Sequence, residues 1–161
     1  MQGRRVLITG ASGLVGAAAV ARFQQAGAGV TAVAGPHTAG SGQLGMDLAR
    51  QPWPTGGWDV IVHCAARLPS RFEGPDAEAA VLENRAMDDR AIDAAVRSGA
   101  HLVYLSTAAV YGRSSGEIDD DTPPAPQLGY ASAKLASEGA IAVRGLSATV
   151  FRLVAPYGPR Q

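Results

Sequence analysis

The sequence has one cysteine, no cluster of like charges and no long apolar run, and each absence excludes a class of protein. Cys64 alone cannot form an internal disulfide framework, and the sequence offers no group of metal ligands. The 14 basic residues balance the 14 acidic ones without forming a patch, so we expect no nucleic-acid partner. The apolar runs are too short and interrupted to span a bilayer, and no basic-then-apolar leader precedes Val6. We therefore expect a cytoplasmic protein with one domain over 1–161, no membrane partner and no metal.

A glycine-rich turn follows the first apolar run. The apolar stretch 6–9 leads into Gly10, Gly13 and Gly16, after which an alanine-rich helical pattern begins. Gly10 permits a tight turn, Gly13 allows close approach to an anion, and Gly16 allows the helix to pack near the strand. A helix starting near Ser12 directs free N–H groups and its positive dipole end at that anion, usually a pyrophosphate. A flexible turn without a ligand is the alternative, but the flanking strand and helix favour dinucleotide binding.

Apolar periodicity predicts strands that alternate with helices. We predict six strands, over 5–9, 30–34, 44–46, 59–66, 101–107 and 148–154, and three helices, over 14–26, 75–98 and 130–143. The alternation favours an α/β fold with a doubly wound parallel sheet of about six strands and helices on both faces. The apolar face of the first helix is expected to comprise Leu14, Ala17, Ala18, Ala21 and Phe23. Ligands bind beyond the carboxyl ends of such strands, so we expect 10–16, Asp47, 64–66 and 106–107 along one rim.

Tyr130 and Lys134 are four residues apart and lie on one face of a predicted helix. Lowering the pKa of a tyrosine from about 10 to near 7 requires roughly 4 kcal/mol of stabilisation of the phenolate. A nearby ammonium and the positive nicotinamide of an oxidised cofactor carry charge of the right sign. An exposed helix pair is the alternative. Thr107, at the rim end of the fifth strand, either hydrogen-bonds a substrate oxygen or caps a turn.

Five motifs occur together and in chain order. They are Thr9-Gly10-x-x-Gly13-x-x-Gly16, His63-x-Ala65-Ala66, Leu105-Ser106-Thr107-Ala108-Ala109-Val110-Tyr111-Gly112, Tyr130-x-x-x-Lys134 and Arg152-x-x-x-Pro156-Tyr157-Gly158-Pro159. This set resembles the NAD-dependent epimerase/dehydratase family of the extended short-chain dehydrogenase/reductase superfamily. The resemblance extends over essentially the whole chain and implies a Rossmann-like fold.

The resemblance also implies roles for individual residues. Tyr130 would be the catalytic acid/base, Lys134 would lower its pKa and hold the nicotinamide ribose, and Thr107, rather than Ser106, would orient the substrate oxygen. The cofactor-binding residues would be Gly10, Ser12, Gly13, Leu14, Val15, Gly16, Asp47, Leu48, Ala65, Ala66, Asn84, Lys134 and Val154.

Four of these cofactor contacts have a more specific form. Asp47 and Leu48 would contact the adenine, Val154 would form an apolar wall beside the nicotinamide, and Asn84 would lie on a helix facing the cofactor. For Asn84 a solvent-facing helix position is an equal alternative.

The function implied is an oxidoreductase that acts on a nucleotide sugar, or a similar hydroxyl or carbonyl substrate, by hydride transfer with a tyrosine acid/base. The alternatives are a carbonyl reductase of the extended short-chain type and a truncated, non-catalytic dinucleotide-binding module. A homodimer through the helices over 75–98 and 130–143 is expected by analogy.

Two departures from the family pattern affect these expectations. The end of the second strand carries neither a carboxylate nor an arginine over 33–37, so NAD and NADP both remain candidate cofactors. His37 or Thr38 could reach a 2′-phosphate, although a plain loop is the simpler interpretation. The sequence ends at Gln161, where relatives continue into a smaller substrate domain, so we expect a truncated chain or fragment.

Overall fold

A computed structural model describes residues 1–68, 74–113, 116–127 and 129–158 of the chain. In these ranges it contains strands, helices and one 3₁₀ turn (Ala108–Tyr111), joined by loops. The strands are β1 (Arg5–Thr9), β2 (Gly29–Ala34), β3 (Leu44–Gly45), β4 (Val60–His63), β5 (His101–Thr107) and β6 (Ala148–Leu153); the helices are α1 (Leu14–Gln25), α2 (Pro75–Ser98) and α3 (Tyr130–Val143). Pro159 of the last sequence motif lies outside the described residues.

The six strands form one parallel sheet in the order β3-β2-β1-β4-β5-β6. The chain therefore builds outward from β1 in one direction and then returns to place β4 on its other side. The change of direction between β1 and β4 is the point where doubly wound sheets bind their ligands. The predicted fold class and strand number are confirmed.

The predicted fourth strand, 59–66, is shorter in the structure and ends at His63. The Ala65 N–H donates to the Thr9 side-chain hydroxyl, 3.3 Å away, instead of to a backbone carbonyl of a neighbouring strand. The chain thus leaves the sheet beside the glycine turn, which opens a groove at that point.

The main core lies between the sheet and the helices α2 and α3. It contains apolar side chains from four strands, from both helices and from the loop after β3; its fully buried members are Leu7, Val33, Ile61, Ala91, Ile92, Ala95, Leu102 and Tyr104. A smaller core on the opposite face is covered by α1.

The predicted apolar face of α1 is largely wrong. Ala19, Val20 and Phe23 pack against the sheet together with buried Gly16, whereas Leu14, Ala18 and Ala21 are exposed. In a helix so rich in alanine, the apolar pattern does not single out one face. The face that turns inward is the one carrying the glycine that fits against β1.

The two edges of the sheet differ. One edge is β3, only two residues long, and the other is β6, of six residues. On β6 the side chain of Phe151 is 49% exposed, and no described strand pairs with its outer side. No helix in the described ranges has the length and apolar character needed to cross a membrane.

Candidate active site

The turn after β1 depends on two glycines that have no room for a side chain. Gly10 has φ +69°, and a Cβ there would lie 2.7 Å from the Ala65 amide nitrogen. At Gly16 a Cβ would lie 2.1 Å from the Gly10 carbonyl oxygen. Gly10 is thus packed against the residues that follow β4. Gly16, in the first turn of α1, is packed against the backbone of Gly10.

Gly13 occupies a different environment. It is the N-cap of α1, with φ −81° and no side-chain cap, and the nearest atom to a Cβ there would be the Gly10 carbonyl oxygen at 3.3 Å. Any residue adopts this backbone conformation, and a Cβ here would be only slightly closer to that oxygen than an ordinary contact, so the fold opposes a side chain far less at Gly13 than at Gly10 or Gly16. A ligand that approaches the amides at the start of α1 opposes a side chain more strongly, because the side chain would stand in its way.

A groove of about 390 Å³ lies beside this turn, at the carboxyl ends of β1, β2 and β4. Among its lining residues are seven of the predicted cofactor contacts, namely Gly10, Ser12, Gly13, Asp47, Leu48, Ala65 and Ala66. Gly16 is buried behind the turn and supports it, while Leu14 is exposed and Val15 half-buried on the first turn of α1. The fold therefore brings seven of the thirteen predicted cofactor contacts together around one groove.

These residues fit a dinucleotide. Helix α1 has no side-chain cap and no acidic residue in its first turn, so its first N–H groups and positive dipole end are directed at the groove without a competing carboxylate. The Ser12 hydroxyl donates to the Thr38 hydroxyl at 3.0 Å, joining the glycine turn to the loop after β2. The groove thus has hydroxyl groups next to the end of β2, and its lining also includes the carboxylates of Asp47 and Glu83.

Asp47 is held by its own loop. Its carboxylate accepts hydrogen bonds from the amides of Ala49 and Arg50 and from the Arg50 guanidinium at 2.8 Å. The Arg50 hydrogen bond lowers the pKa of Asp47. Arg50 also pairs with Glu83 of α2 at 2.9 Å, so the predicted adenine-contacting loop is fastened to the helix across the groove. Leu48 is mostly buried in the main core, and only its small exposed part lines the groove.

Asn84 is buried, which excludes the solvent-facing alternative. Its side-chain carbonyl accepts from the Arg67 amide at 2.7 Å, and its amide donates to the Arg67 carbonyl at 2.8 Å. Asn84 therefore fixes the backbone that follows Ala65 and Ala66. Direct contact with a cofactor stays a prediction, since both polar atoms of this side chain already have partners.

Tyr130 begins α3 and lines a second, larger cavity of about 1170 Å³ between α2, the 3₁₀ turn and the loop before α3. Burial raises the pKa of Tyr130 to about 12, and the negative charge of Asp88 acts in the same direction. The phenol is therefore protonated at neutral pH. Burial and Asp88 account for this shift without a contribution from Lys134, and the expected lowering of the pKa by Lys134 stays a prediction.

The Lys134 ammonium already has a partner. Its Nζ atom is buried, donates to Asp88 Oδ1 at 3.2 Å and lies 5.8 Å from the centre of the Tyr130 ring. Desolvation lowers the pKa of Lys134, while Asp88 opposes that shift. The ammonium is thus paired with a carboxylate that the sequence reasoning did not identify.

Asp88 is the centre of a buried polar group between α2, β4, β5 and α3, which we call the Asp88 cluster. Its members are His63, Asp88, Tyr104, Lys134 and Ser137. The Tyr104 hydroxyl donates to Asp88 at 2.5 Å and the Ser137 hydroxyl at 2.9 Å. The cluster joins the helix that carries Tyr130 to the strand that ends at the groove.

Thr107 ends β5 and its hydroxyl oxygen accepts from the Ala109 amide at 3.2 Å, which caps the 3₁₀ turn. The turn-capping alternative is thus present, but a hydroxyl that accepts one hydrogen bond still has its own proton to donate. The neighbouring Ser106 is engaged elsewhere, because its hydroxyl donates to Glu138 at 2.5 Å. This supports the choice of Thr107 over Ser106, although its role toward a substrate stays a prediction.

Val154 follows β6 and is 87% exposed. It has no place in either cavity lining, and its contact with a nicotinamide stays a prediction. The end of β6 is fixed instead by Arg152, which donates to Glu138 at 2.7 Å and to the Tyr111 hydroxyl at 2.6 Å. This pairing explains the arginine of the last motif as a link between β6, α3 and the 3₁₀ turn.

The model of the NAD dependent epimerase/dehydratase family matches residues 6–161. The chain belongs to this family. The resemblance drawn from the motifs is thereby confirmed, and the matched residues include the glycine turn and the Tyr130–Lys134 pair.

Curated relatives of the chain include beta subunits of methionine adenosyltransferase 2. The beta subunit of methionine adenosyltransferase 2 from Mus musculus is 34% identical over 172 residues, covering 96% of this chain and 48% of the mouse protein. The corresponding Rattus norvegicus protein is also 34% identical over 161 residues, with the same coverage of each chain. This chain spans about half the length of the curated relatives it matches.

Solved structures give the same fold. The UDP-glucuronic acid 4-epimerase from Bacillus cereus in complex with NAD has a TM-score of 0.75 and 25% identity, over 98% of this chain and 58% of that one. The Bordetella bronchiseptica enzyme WbmH in complex with NAD+ has a TM-score of 0.78 and 23% identity, over 98% of this chain and 57% of that one. Both were crystallised with NAD, as the family description leads one to expect.

Proposed function

We propose that the chain is the NAD(P)-binding domain of an epimerase/dehydratase-type oxidoreductase whose substrate is a nucleotide sugar or a similar hydroxyl or carbonyl compound. The observation that carries the proposal is the glycine turn, in which the fold leaves no room for a side chain at Gly10 and Gly16 and is only slightly tight at Gly13. A ligand at the amides of α1 is the stronger reason for a glycine at position 13. The neighbours crystallised with NAD support the same ligand.

The residues of the groove divide the binding between them. The amides at the start of α1 would bind the pyrophosphate, Asp47 and Leu48 the adenine end, and Ala65 and Ala66 would line the floor. The Ser12 hydroxyl donates to Thr38 and the Thr38 hydroxyl donates to the Gly35 carbonyl, so a ribose hydroxyl can donate to the Ser12 oxygen, whereas a 2′-phosphate requires one of the two hydroxyls to rotate and donate to it. Both NAD and NADP therefore stay candidate cofactors. The nicotinamide supplies a carbon that accepts or donates hydride when the cofactor is bound.

The proton chemistry falls to Tyr130, which lies in the larger cavity. As a protonated phenol it donates its proton to a carbonyl oxygen without further adjustment. To accept a proton from a hydroxyl near neutral pH, its pKa must fall by about 5 units, which requires roughly 7 kcal/mol of stabilisation of the phenolate. Thr107 would hold the reacting oxygen, and the Lys134 charge would contribute to the lowering of that pKa.

A second candidate function is a dinucleotide-binding subunit without oxidoreductase activity. The relatives named as methionine adenosyltransferase 2 subunit beta favour it, and so does the pairing of Lys134 with Asp88. In that case the groove binds the cofactor, and Tyr130 contributes nothing to turnover.

Two measurements test these candidates. Fluorescence titration of the purified protein with NADH and with NADPH should show saturable binding of at least one of them and identify the preferred cofactor, and no binding of either by a folded chain would contradict the proposal. Turnover of UDP-glucose and UDP-glucuronic acid is then compared between the wild type and Tyr130→Phe. Loss of turnover with unchanged NADH binding supports catalysis, whereas equal turnover in the two proteins defeats the role of Tyr130.

A homodimer through α2 and α3 remains part of the proposal. Both helices carry exposed apolar side chains, Leu82 at 69% and Val143 at 88%. Sedimentation equilibrium of the wild type and of Leu82→Lys tests it, because a lysine in a dimer interface weakens the association. A monomer at every concentration would contradict it.

A further inference from the structure

Asp88 is buried, whereas the other charged residues of α2 are exposed or half-buried. Its side chain is 1% exposed and receives hydrogen bonds from four side chains, on β4, β5 and α3. These bonds hold the carboxylate in its charged form and lower its pKa to about 2, in spite of the desolvation that opposes them. The cluster therefore contains a permanent negative charge at neutral pH.

The direction of every hydrogen bond in the cluster follows from that charge. A carboxylate only accepts, so His63 must donate through Nε2, 3.1 Å from Asp88. Burial lowers the pKa of His63, so the ring is neutral and its Nδ1 is an acceptor. The Thr9 hydroxyl at 2.7 Å must then donate to Nδ1, which leaves the Thr9 oxygen to accept from the Ala65 amide. One continuous chain thus runs from the backbone of the groove to Asp88.

Lys134 approaches Asp88 from the other side. Its Nζ atom lies 3.2 and 3.5 Å from the two carboxylate oxygens, and its side chain is 2% exposed. An ammonium buried to this extent is strongly destabilising without an opposite charge. Asp88 is the carboxylate that the structure provides, and it fixes both the charge and the place of Lys134.

We propose that Asp88 is a positioning residue that holds the Lys134 ammonium in the interior and offsets its positive charge toward the Tyr130 phenol. The proposal rests on the proposed function, in which Tyr130 transfers the proton. The titratable groups that face this site are His63 and Cys64 at the end of β4, Tyr104 on β5, and Tyr130 and Lys134 on α3. Of these groups, Lys134 carries the positive charge. Asp88 reduces the effect of that charge on the pKa of Tyr130.

The test is a phenolate titration of the purified protein without added cofactor. Asp88→Asn keeps the shape of the side chain and removes the negative charge. We expect the Tyr130 pKa, read as the absorbance difference between each protein and its Tyr130→Phe counterpart, to fall by about one pH unit or more, which is a tenfold change in phenolate at a given pH. The charge of Lys134 in Asp88→Asn is read from the NMR signal of its Nζ atom. Loss of a proton from this atom supports the role of Asp88 in holding the ammonium, whereas an unchanged Tyr130 pKa in folded Asp88→Asn with Lys134 still charged would overturn the proposal.

Asp89→Asn is the matched control. Asp89 is the next residue on α2 and is exposed, so this variant has the same change of charge on the same helix without touching the cluster. We expect its Tyr130 titration to match that of the wild type. An equal shift in both variants would mean that net charge, and not the pairing with Lys134, moves the phenol, and it would also overturn the proposal.

Asp88→Asn leaves the Lys134 ammonium unpaired and can fail to fold for that reason. The double variant Asp88→Asn/Lys134→Met removes both charges and keeps the interior filled. Recovery of a cooperative thermal transition in the double variant supports the pairing, and a double variant no more stable than Asp88→Asn contradicts it.

These outcomes are independent of turnover. The Tyr130 titration needs neither cofactor nor substrate, so a protein that proves inactive in the turnover assays still tests the position of Asp88. Conversely, a failed titration experiment leaves the binding of NADH and NADPH to the glycine turn untouched.

Discussion

Replacement of Gly16 by alanine tests the packing of the first helix against the first strand. The added Cβ would lie 2.1 Å from the Gly10 carbonyl oxygen and 2.7 Å from its carbonyl carbon, whereas ordinary contacts begin at 3.4 Å. Both atoms belong to the backbone of a turn that is itself packed against β4. The methyl group therefore cannot be accommodated by the rotation of a side chain, and α1 must move away from the sheet.

The size of the effect follows from two opposing terms. Overpacking of this kind costs about 1–3 kcal/mol, and this contact lies at the upper end because backbone is involved. Alanine in a helix recovers up to about 1 kcal/mol relative to glycine. We expect a net loss of about 2 kcal/mol in the free energy of unfolding, which lowers the Tm by roughly 4–8 °C in a domain of this size.

Gly13→Ala is the comparison that separates stability from binding. This site has ordinary φ and more space, so the loss of stability should stay below about 1 kcal/mol, the cost of a weaker N-cap. NADH affinity should fall in Gly13→Ala all the same, because the methyl group stands before the amides of α1. Urea unfolding followed by circular dichroism measures the first quantity and fluorescence titration the second. A Gly16→Ala protein as stable as the wild type would refute the packing argument.

Three further predictions concern buried polar groups. Asn84→Ala leaves the amide and carbonyl of Arg67 without partners and should cost about 2–3 kcal/mol in urea unfolding; a change below about 0.5 kcal/mol would contradict the clamp. Burial raises the pKa of the half-buried Cys64 thiol beside the groove to about 12, so a thiol reagent at pH 8 should label the folded chain at least 10²-fold more slowly than the urea-unfolded chain, and equal rates would contradict the raised pKa. Because the pKa values of His63 and Asp88 are lower in the folded state than in the unfolded one, the unfolded chain binds more protons in acid. Stability should then fall as the pH drops from about 6.5 toward 2, with about 2 kcal/mol of the loss due to Asp88 below pH 4, and a urea midpoint that stays constant over this range would be the contrary result.

Much of the fold could be predicted because local pattern and final environment agree. The strand 5–9 and its parallel neighbours are continuously apolar where they are buried on both faces, and glycine marks the ends of α1 and α2. The face of α1 could not be predicted in the same way. Its alanines are all equally hydrophobic, so the apolar pattern does not favour one face. The close packing of Gly16 against the Gly10 carbonyl is a contact between two backbone segments, and the spacing of apolar residues does not predict such a contact.

In the candidate site too, the features that depend on local spacing could be predicted and a contact between distant residues could not. The spacing of Tyr130 and Lys134 places them on one helix, and the glycine spacing predicts the groove. The partner of Lys134 escaped notice because Asp88 is 46 residues away in sequence. A signal does exist: Asn84 and Asp88 both fall in the stripe of α2 that otherwise turns alanine and isoleucine into the core. Polar residues within such a stripe indicate a buried network, and a charged one demands an opposite charge.

The unequal edges of the sheet have a consequence for how the molecule associates. Exposed N–H and C=O groups along an edge strand are a template on which a further strand can pair. β3 offers two residues of such a template, whereas β6 offers six, with Phe151 and Val150 partly uncovered beside them. Of the two edges, β6 is therefore the one that can pair with a further strand over several residues.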